Sequence, residues 1–236
     1  MAVQQESRRE AGIQAVKTAQ EDVMGRTMDA LFTVESARGK LQGQEEYGNT
    51  SGKYHITDET RSMFKIDASL PEQEQARQVV MGFIGFMKNG NKDLGIPGIN
   101  FDALTADEQV ASLSYVYNAG HNQPNFRKAL GHLARARSGK TDYDTAKLAK
   151  IAAGFMDVYK AGGAASLGLI RRRLSEQNVF INGGKINLDL DVNRLDGVKT
   201  IRANMQSALS GLNNFESYMK LRDMTLPAPS PIRRVI

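Results

Sequence analysis

An acid at the end of an apolar run is the residue of this chain best suited to moving a proton. Leu31-Phe32-Thr33-Val34 leads into Glu35, and a stretch rich in Gly, Gln and Asn follows as far as Gly52-Lys53-Tyr54-His55-Ile56. Apolar neighbours keep water from a carboxyl, which penalises its charged form and raises its pKa toward the range where it donates near neutrality. A solvated helix-end acid has the same local sequence, and this segment alone favours that plainer reading.

Other chemistries find less support. The chain has no cysteine, which excludes disulfides, thiolate nucleophiles and Cys-based zinc sites. Its three histidines, His55, His121 and His132, are too scattered for a helix-face metal pair, and no metal or cofactor is expected. No G-x-S-x-G elbow exists around its serines. Ser138-Gly139-Lys140-Thr141 ends like a phosphate loop but lacks the first glycine and a preceding strand. Arg171-Arg172-Arg173 is the densest basic cluster and reads as a solvated helix face, with contact to substrate carboxylates or phosphates as the alternative. Tyr115, Tyr117, Phe155 and Phe180 read as core.

These residues need elements to hold them. From Ser7 to Val34 the apolar positions follow helical spacing with few breakers, which predicts a long amphipathic helix ending near Glu35. The four glycines between residues 36 and 56 predict a loop or short ribbon. Thr57-Asp58-Glu59 opens a short helix, and Ser69-Leu70-Pro71-Glu72 opens a central one that runs to Asn89-Gly90. Thr105-Ala-Asp-Glu108 is a capping box leading to a helix stopped by Gly120. Helices are predicted over 124–136, 142–159, 164–176 and 192–219, with a hairpin around Asn182-Gly183-Gly184 between β-prone runs at 179–188. The end, from Leu226 to Ile236, carries three of the six prolines and reads as an extended tail.

Three segments, taken in order, reverse the balance at Glu35. Glu35-Ser36-Ala37, Thr50-Ser51-Gly52-Lys53-Tyr54-His55-Ile56 and Tyr117-Asn118-Ala119-Gly120 together resemble the E-S-x, G-L-M-Q and Y-N-A-G motifs of lytic transglycosylases of the soluble, lysozyme-like type. The resemblance covers about residues 28 to 135. It implies a mainly α, lysozyme-like (α+β) fold with a small β-ribbon lobe and a larger helical lobe. Glu35 would be the sole catalytic acid/base, acting on the bond between N-acetylmuramic acid and N-acetylglucosamine and closing a 1,6-anhydro ring. Tyr117 would hold the catalytic carboxyl, and Ser51, Tyr54, His55 and Asn118 would bind substrate.

His55 stands where that family has glutamine, and Lys53-Tyr54 replaces its Leu-Met. The stretch 47-YGNTSGKYHI-56 also resembles the Tyr-x-Asp-Thr-x-Gly-x-Tyr-Thr-Ile segment of phage-type muramidases, with Arg38 placed as an arginine follows the acid there. Those enzymes hydrolyse the same bond, but Asn49 replaces their second acid, and Glu45 or Glu46 would substitute only by turning inward. A third possibility is a structural virion component whose lysozyme-like fold is inactive or cuts a peptide cross-link.

The implied organisation is an N-terminal amphipathic helix over 1–27, a catalytic domain over 28–190, and a C-terminal helix with a Pro-rich tail over 191–236. The charge of +5, from 31 Lys+Arg against 26 Asp+Glu, suits an anionic wall. No nucleic-acid motif is present, no run is apolar enough to span a membrane, and the first residues do not read as a signal peptide. Peptidoglycan strands are the expected partner, with virion proteins as further partners through the N-terminal helix or tail. The expected location is the virion or host cytoplasm before delivery to the periplasm.

Overall fold

The computed structural model describes residues 2–41, 50–51, 54–91, 96–120, 123–161 and 164–225, with the side chains of 2–9, 16, 35–41, 50–51, 91, 161 and 221–225 not described. Helix makes up 73% of the described residues, as the mainly α reading requires. The helices are α1 (Ala2–Leu41), α2 (Asp58–Phe64), α3 (Glu72–Asn89), α4 (Ala106–Ala119), α5 (Pro124–Arg137), α6 (Thr145–Gly154), α7 (Leu167–Asn182) and α8 (Arg194–Thr225). Among the described residues, three antiparallel ribbons of two-residue strands accompany them: β1 (Thr50–Ser51) with β2 (Ile56–Thr57), β3 (Gly90–Asn91) with β4 (Ile96–Pro97), and β5 (Lys160–Ala161) with β6 (Ala164–Ala165).

Local chemistry sets most helix starts where the sequence predicts them. The Thr57 hydroxyl accepts from the Thr60 amide, Thr105 and Glu108 form a reciprocal capping box, and Pro124 occupies the first turn of α5. Several predicted boundaries move, among them the end of α8, which lies at Thr225 and not at residue 219. Helix α1 does not stop near Glu35 but continues to Leu41, and it passes through residues 27 and 28 without a break. Helix α6 ends at Gly154, short of residue 159, and α8 crosses it closely there: a Cβ on Gly154 would lie 2.6 Å from the Ala208 Cβ and the Asn204 carbonyl.

The predicted hairpin at 179–188 is not formed. Val179 and Phe180 are both buried while Ile181 and Asn182 face solvent, a helical arc and not a strand alternation. Helix α7 runs through them and stops at Gly183, whose φ of 77° suits a residue without Cβ, and residues 185–193 have no regular structure.

One core joins α1, α3, α4, α5, α6, α7 and α8, from Val23 and Leu31 through Leu113 and Leu130 to Leu212 and Phe215. Among the described residues, helix α1 enters it only from Val23 onward. Each described side chain from Glu10 to Asp22 is exposed, whereas Val23, Thr27, Ala30, Leu31 and Val34 are buried. Among the described residues no helix is long and apolar enough to cross a membrane.

Candidate functional site

Two of the segments singled out by the sequence, the ribbon and the end of α4, meet at Tyr54. Its ring is buried, with the Phe32 ring of α1 6.2 Å away between centroids. Its amide donates to the Glu72 carboxylate on the first turn of α3 at 2.6 Å, and its carbonyl accepts from the Tyr117 hydroxyl of α4 at 2.9 Å. Phe83 of α3 supports the Tyr117 ring at 6.3 Å and meets Phe64 edge-on at 5.0 Å. Burial raises the Tyr54 pKa, with further upward pressure from the Glu72 and Asp29 carboxylates, so the phenol stays a neutral donor.

Ser51 pairs with Ile56, and His55 takes a left-handed backbone at φ 49°. Histidine enters that region more readily than a β-branched residue. The threonine of the muramidase-like segment would be strained at this position, which gives His55 a conformational reason to be there. Its side chain is half-buried.

Helix α4 sends its polar residues in two directions. Tyr117 reaches the ribbon; Asn118 accepts from the Arg173 guanidinium of α7 at 2.7 Å. Asn118, expected to bind substrate, is thus already engaged by a structural partner. Glu35 lies in α1 one residue after buried Val34, and Ser51 lies in β1, but both side chains fall outside the described residues. Glu45, Glu46 and Asn49 also fall outside them.

Sequence reasoning missed Glu72, whose only signal was its place after Pro71 at a helix start. It also misread the arginines. Arg172 and Arg173 are 4% and 0% exposed and meet Glu176 of the same helix, itself fully buried, at 3.0 and 2.6 Å. The Ser114 hydroxyl donates to Glu176, Arg172 donates to the Ser114 carbonyl, and Arg173 lies over the Tyr115 ring at 4.9 Å. Tyr115, its pKa pushed up by burial, donates to the Phe155 carbonyl; burial likewise raises the Asp157 carboxyl, which Arg173 partly offsets. The solvated-face expectation fails because acceptors on α4 and α7 take up these guanidinium groups inside the core.

The arrangement therefore comprises a ribbon pinned at one residue to α3 and α4, with α4 pinned behind by α7. Among the described residues no three His, Asp or Glu side chains converge as a cation cage. No protein-family model, curated protein or solved structure matches this chain.

Proposed function

We propose that this chain cleaves peptidoglycan glycan strands at the β-1,4 bond between N-acetylmuramic acid and N-acetylglucosamine, with Glu35 as the proton-transfer group. The observation that carries the reading is the 2.9 Å bond from Tyr117 to the Tyr54 carbonyl, 63 residues apart, which joins two of the three motif segments. The third is on the same core: Leu31 and Val34, just before Glu35, pack in one cluster with Tyr54, Ile56 and partly buried Tyr117. In this reading the fold is lysozyme-like, with the ribbon and the helices forming the two sides of a cleft.

Glu35 protonates the glycosidic oxygen as the C1–O bond breaks. Its carboxylate then takes the proton of the muramic C6 hydroxyl as that oxygen attacks C1, giving a 1,6-anhydro product and a neutral acid. No second carboxylate is needed, because the substrate's N-acetyl group supports the positive charge. Tyr54, His55 and Tyr117 border the muramic subsite, with Ser51 beside them.

A hydrolytic muramidase is the second reading, favoured by the pairing of Thr50–Ser51 with Ile56–Thr57 inside the muramidase-like segment. A phage-derived enzyme, carried in the virion or released late in infection, fits either chemistry.

The test is digestion of purified peptidoglycan by wild type and Glu35→Gln, with mass analysis of the products. Anhydro-muropeptides that vanish in the variant support transglycosylation, and reducing-end muramic acid supports hydrolysis. Intact glycan with cut peptides sinks both, and undiminished activity in Glu35→Gln removes Glu35 from the mechanism.

A further inference from the structure

A concavity lies along α5, lined by residues outside the proposed glycan site. It is a groove of about 890 Å³ between one stripe of α5 and the segment 96–100. Its α5 residues, from Pro124 to Arg135, recur every three or four positions and so share one face about 16 Å long.

The α5 wall is cationic. Lys128 and Arg135 stand seven residues apart, about 10 Å along the helix, and Lys140 extends the row beyond its end. Arg135 and Lys140 are exposed, and the Lys128 side chain is 53% exposed although it ion-pairs with Glu216. Behind them buried Arg127 fixes the groove's shape, donating to the Pro97 carbonyl at 3.0 Å and lying over the Phe86 ring at 4.5 Å. His132 adds no charge near neutrality, because burial lowers its pKa more than Glu216 raises it. Among the described residues no carboxylate lines the groove, and the facing wall, with Ile96, Ile99 and Asn100, is uncharged.

We infer that this groove binds a linear phosphate-bearing polymer that carries no aromatic bases. A row of cations opposite a neutral wall fits a chain with anions along one edge and neutral groups along the other. Lysine is a point charge and arginine a planar fork. A tetrahedral phosphate, with oxygens in several directions, satisfies both at once, and the poly-glutamate competition below separates it from a carboxylate chain. Among the described residues no Phe, Tyr or Trp lines the groove, so the bases of a single-stranded nucleic acid find no stacking surface in that lining.

The test uses the full chain and labelled inorganic polyphosphate, with binding followed by fluorescence anisotropy across a salt series. Poly-glutamate and single-stranded DNA of matched charge serve as competing probes. Wild type is expected to prefer polyphosphate. The triple variant Lys128→Gln/Arg135→Gln/Lys140→Gln should bind at least roughly tenfold more weakly, with a shallower salt dependence. A charge-matched variant away from the groove, Lys150→Gln/Lys199→Gln/Lys220→Gln, should change little. Lys140→Gln alone, at an exposed turn, gives a partial loss without a folding question. Equal losses in both triple variants would reduce the effect to net charge and overturn the proposal. Tighter binding of DNA or poly-glutamate overturns the ligand class, and no polyphosphate binding overturns the site.

Discussion

The two ends of the polar network on α4 teach different things. Toward α7, Ser114 and Asn118 belong to a buried ionic cluster in which Arg172, Arg173 and Glu176 have at most 4% exposure. Toward the ribbon, a neutral hydrogen bond from Tyr117 to the Tyr54 carbonyl and a charge-assisted one from the Tyr54 amide to Glu72 hold the strand turn at the edge of the proposed cleft. A buried charge must keep its partners or leave an uncompensated ion in low dielectric, so the first region tolerates little change. In the second, the Tyr117 bond exchanges for one of similar strength with water, because no buried charge depends on it. Stability is concentrated behind the site, and the site is lightly tethered in front of it.

Breaking the cluster should have the largest effect. Glu176→Gln leaves two buried guanidinium groups without their shared carboxylate and is expected to cost about 3–5 kcal/mol in urea unfolding. A loss under about 1 kcal/mol would mean that water reaches these arginines, and the contrast between the regions would fall.

Tyr117→Phe tests the other side. It should cost about 1 kcal/mol of stability while lowering the rate of peptidoglycan cleavage by a larger factor, because the ribbon loses its anchor. Parallel losses of stability and activity would show that Tyr117 is merely structural.

A smaller effect should appear with pH. Burial holds the His132 pKa below its unfolded value, so the unfolded chain binds that proton more readily. Stability should fall as pH drops below about 6.5 toward the folded value. His132→Gln should flatten this slope in melting curves. Asp157 acts with the opposite sign at lower pH, because its raised carboxyl favours protonation in the fold. A slope that survives in His132→Gln assigns the titration elsewhere.

The smallest effect is expected from the pair between Arg26 of α1 and Asp107 of α4, whose side chains are 33% and 34% exposed. Asp107→Asn should change stability by less than about 1 kcal/mol, and less still at high salt.

Legibility in the sequence followed the range of the interaction. Thr57, Thr105, Pro124 and Gly120 act within a turn of their own helix, so their roles were readable from neighbours alone. The arginines were misread because their partners Ser114 and Asn118 lie more than fifty residues away, and the near one, Glu176, looks like an ordinary pair on a solvated face. The run at 179–181 was misread because β-propensity yields to the burial that α7 gains inside the core. At the site, the nearness of ribbon and α4 was legible through the motif order. Glu72 was not, since it binds a backbone amide and any acceptor of similar reach would serve.

Helix α1 carries one more consequence. A helix in water must first fix several residues for a single hydrogen bond, and that nucleation step makes short isolated helices marginal. Here the half docked through Val23, Thr27 and Leu31 supplies the nucleus, so the undocked turns from Asp22 back to Glu10 need only propagate from it, one bond per residue. Helicity there is inherited from one end. Amide protection should decline steadily outward from Val23, like a zipper opened from its loose end, with no separate melting step of its own.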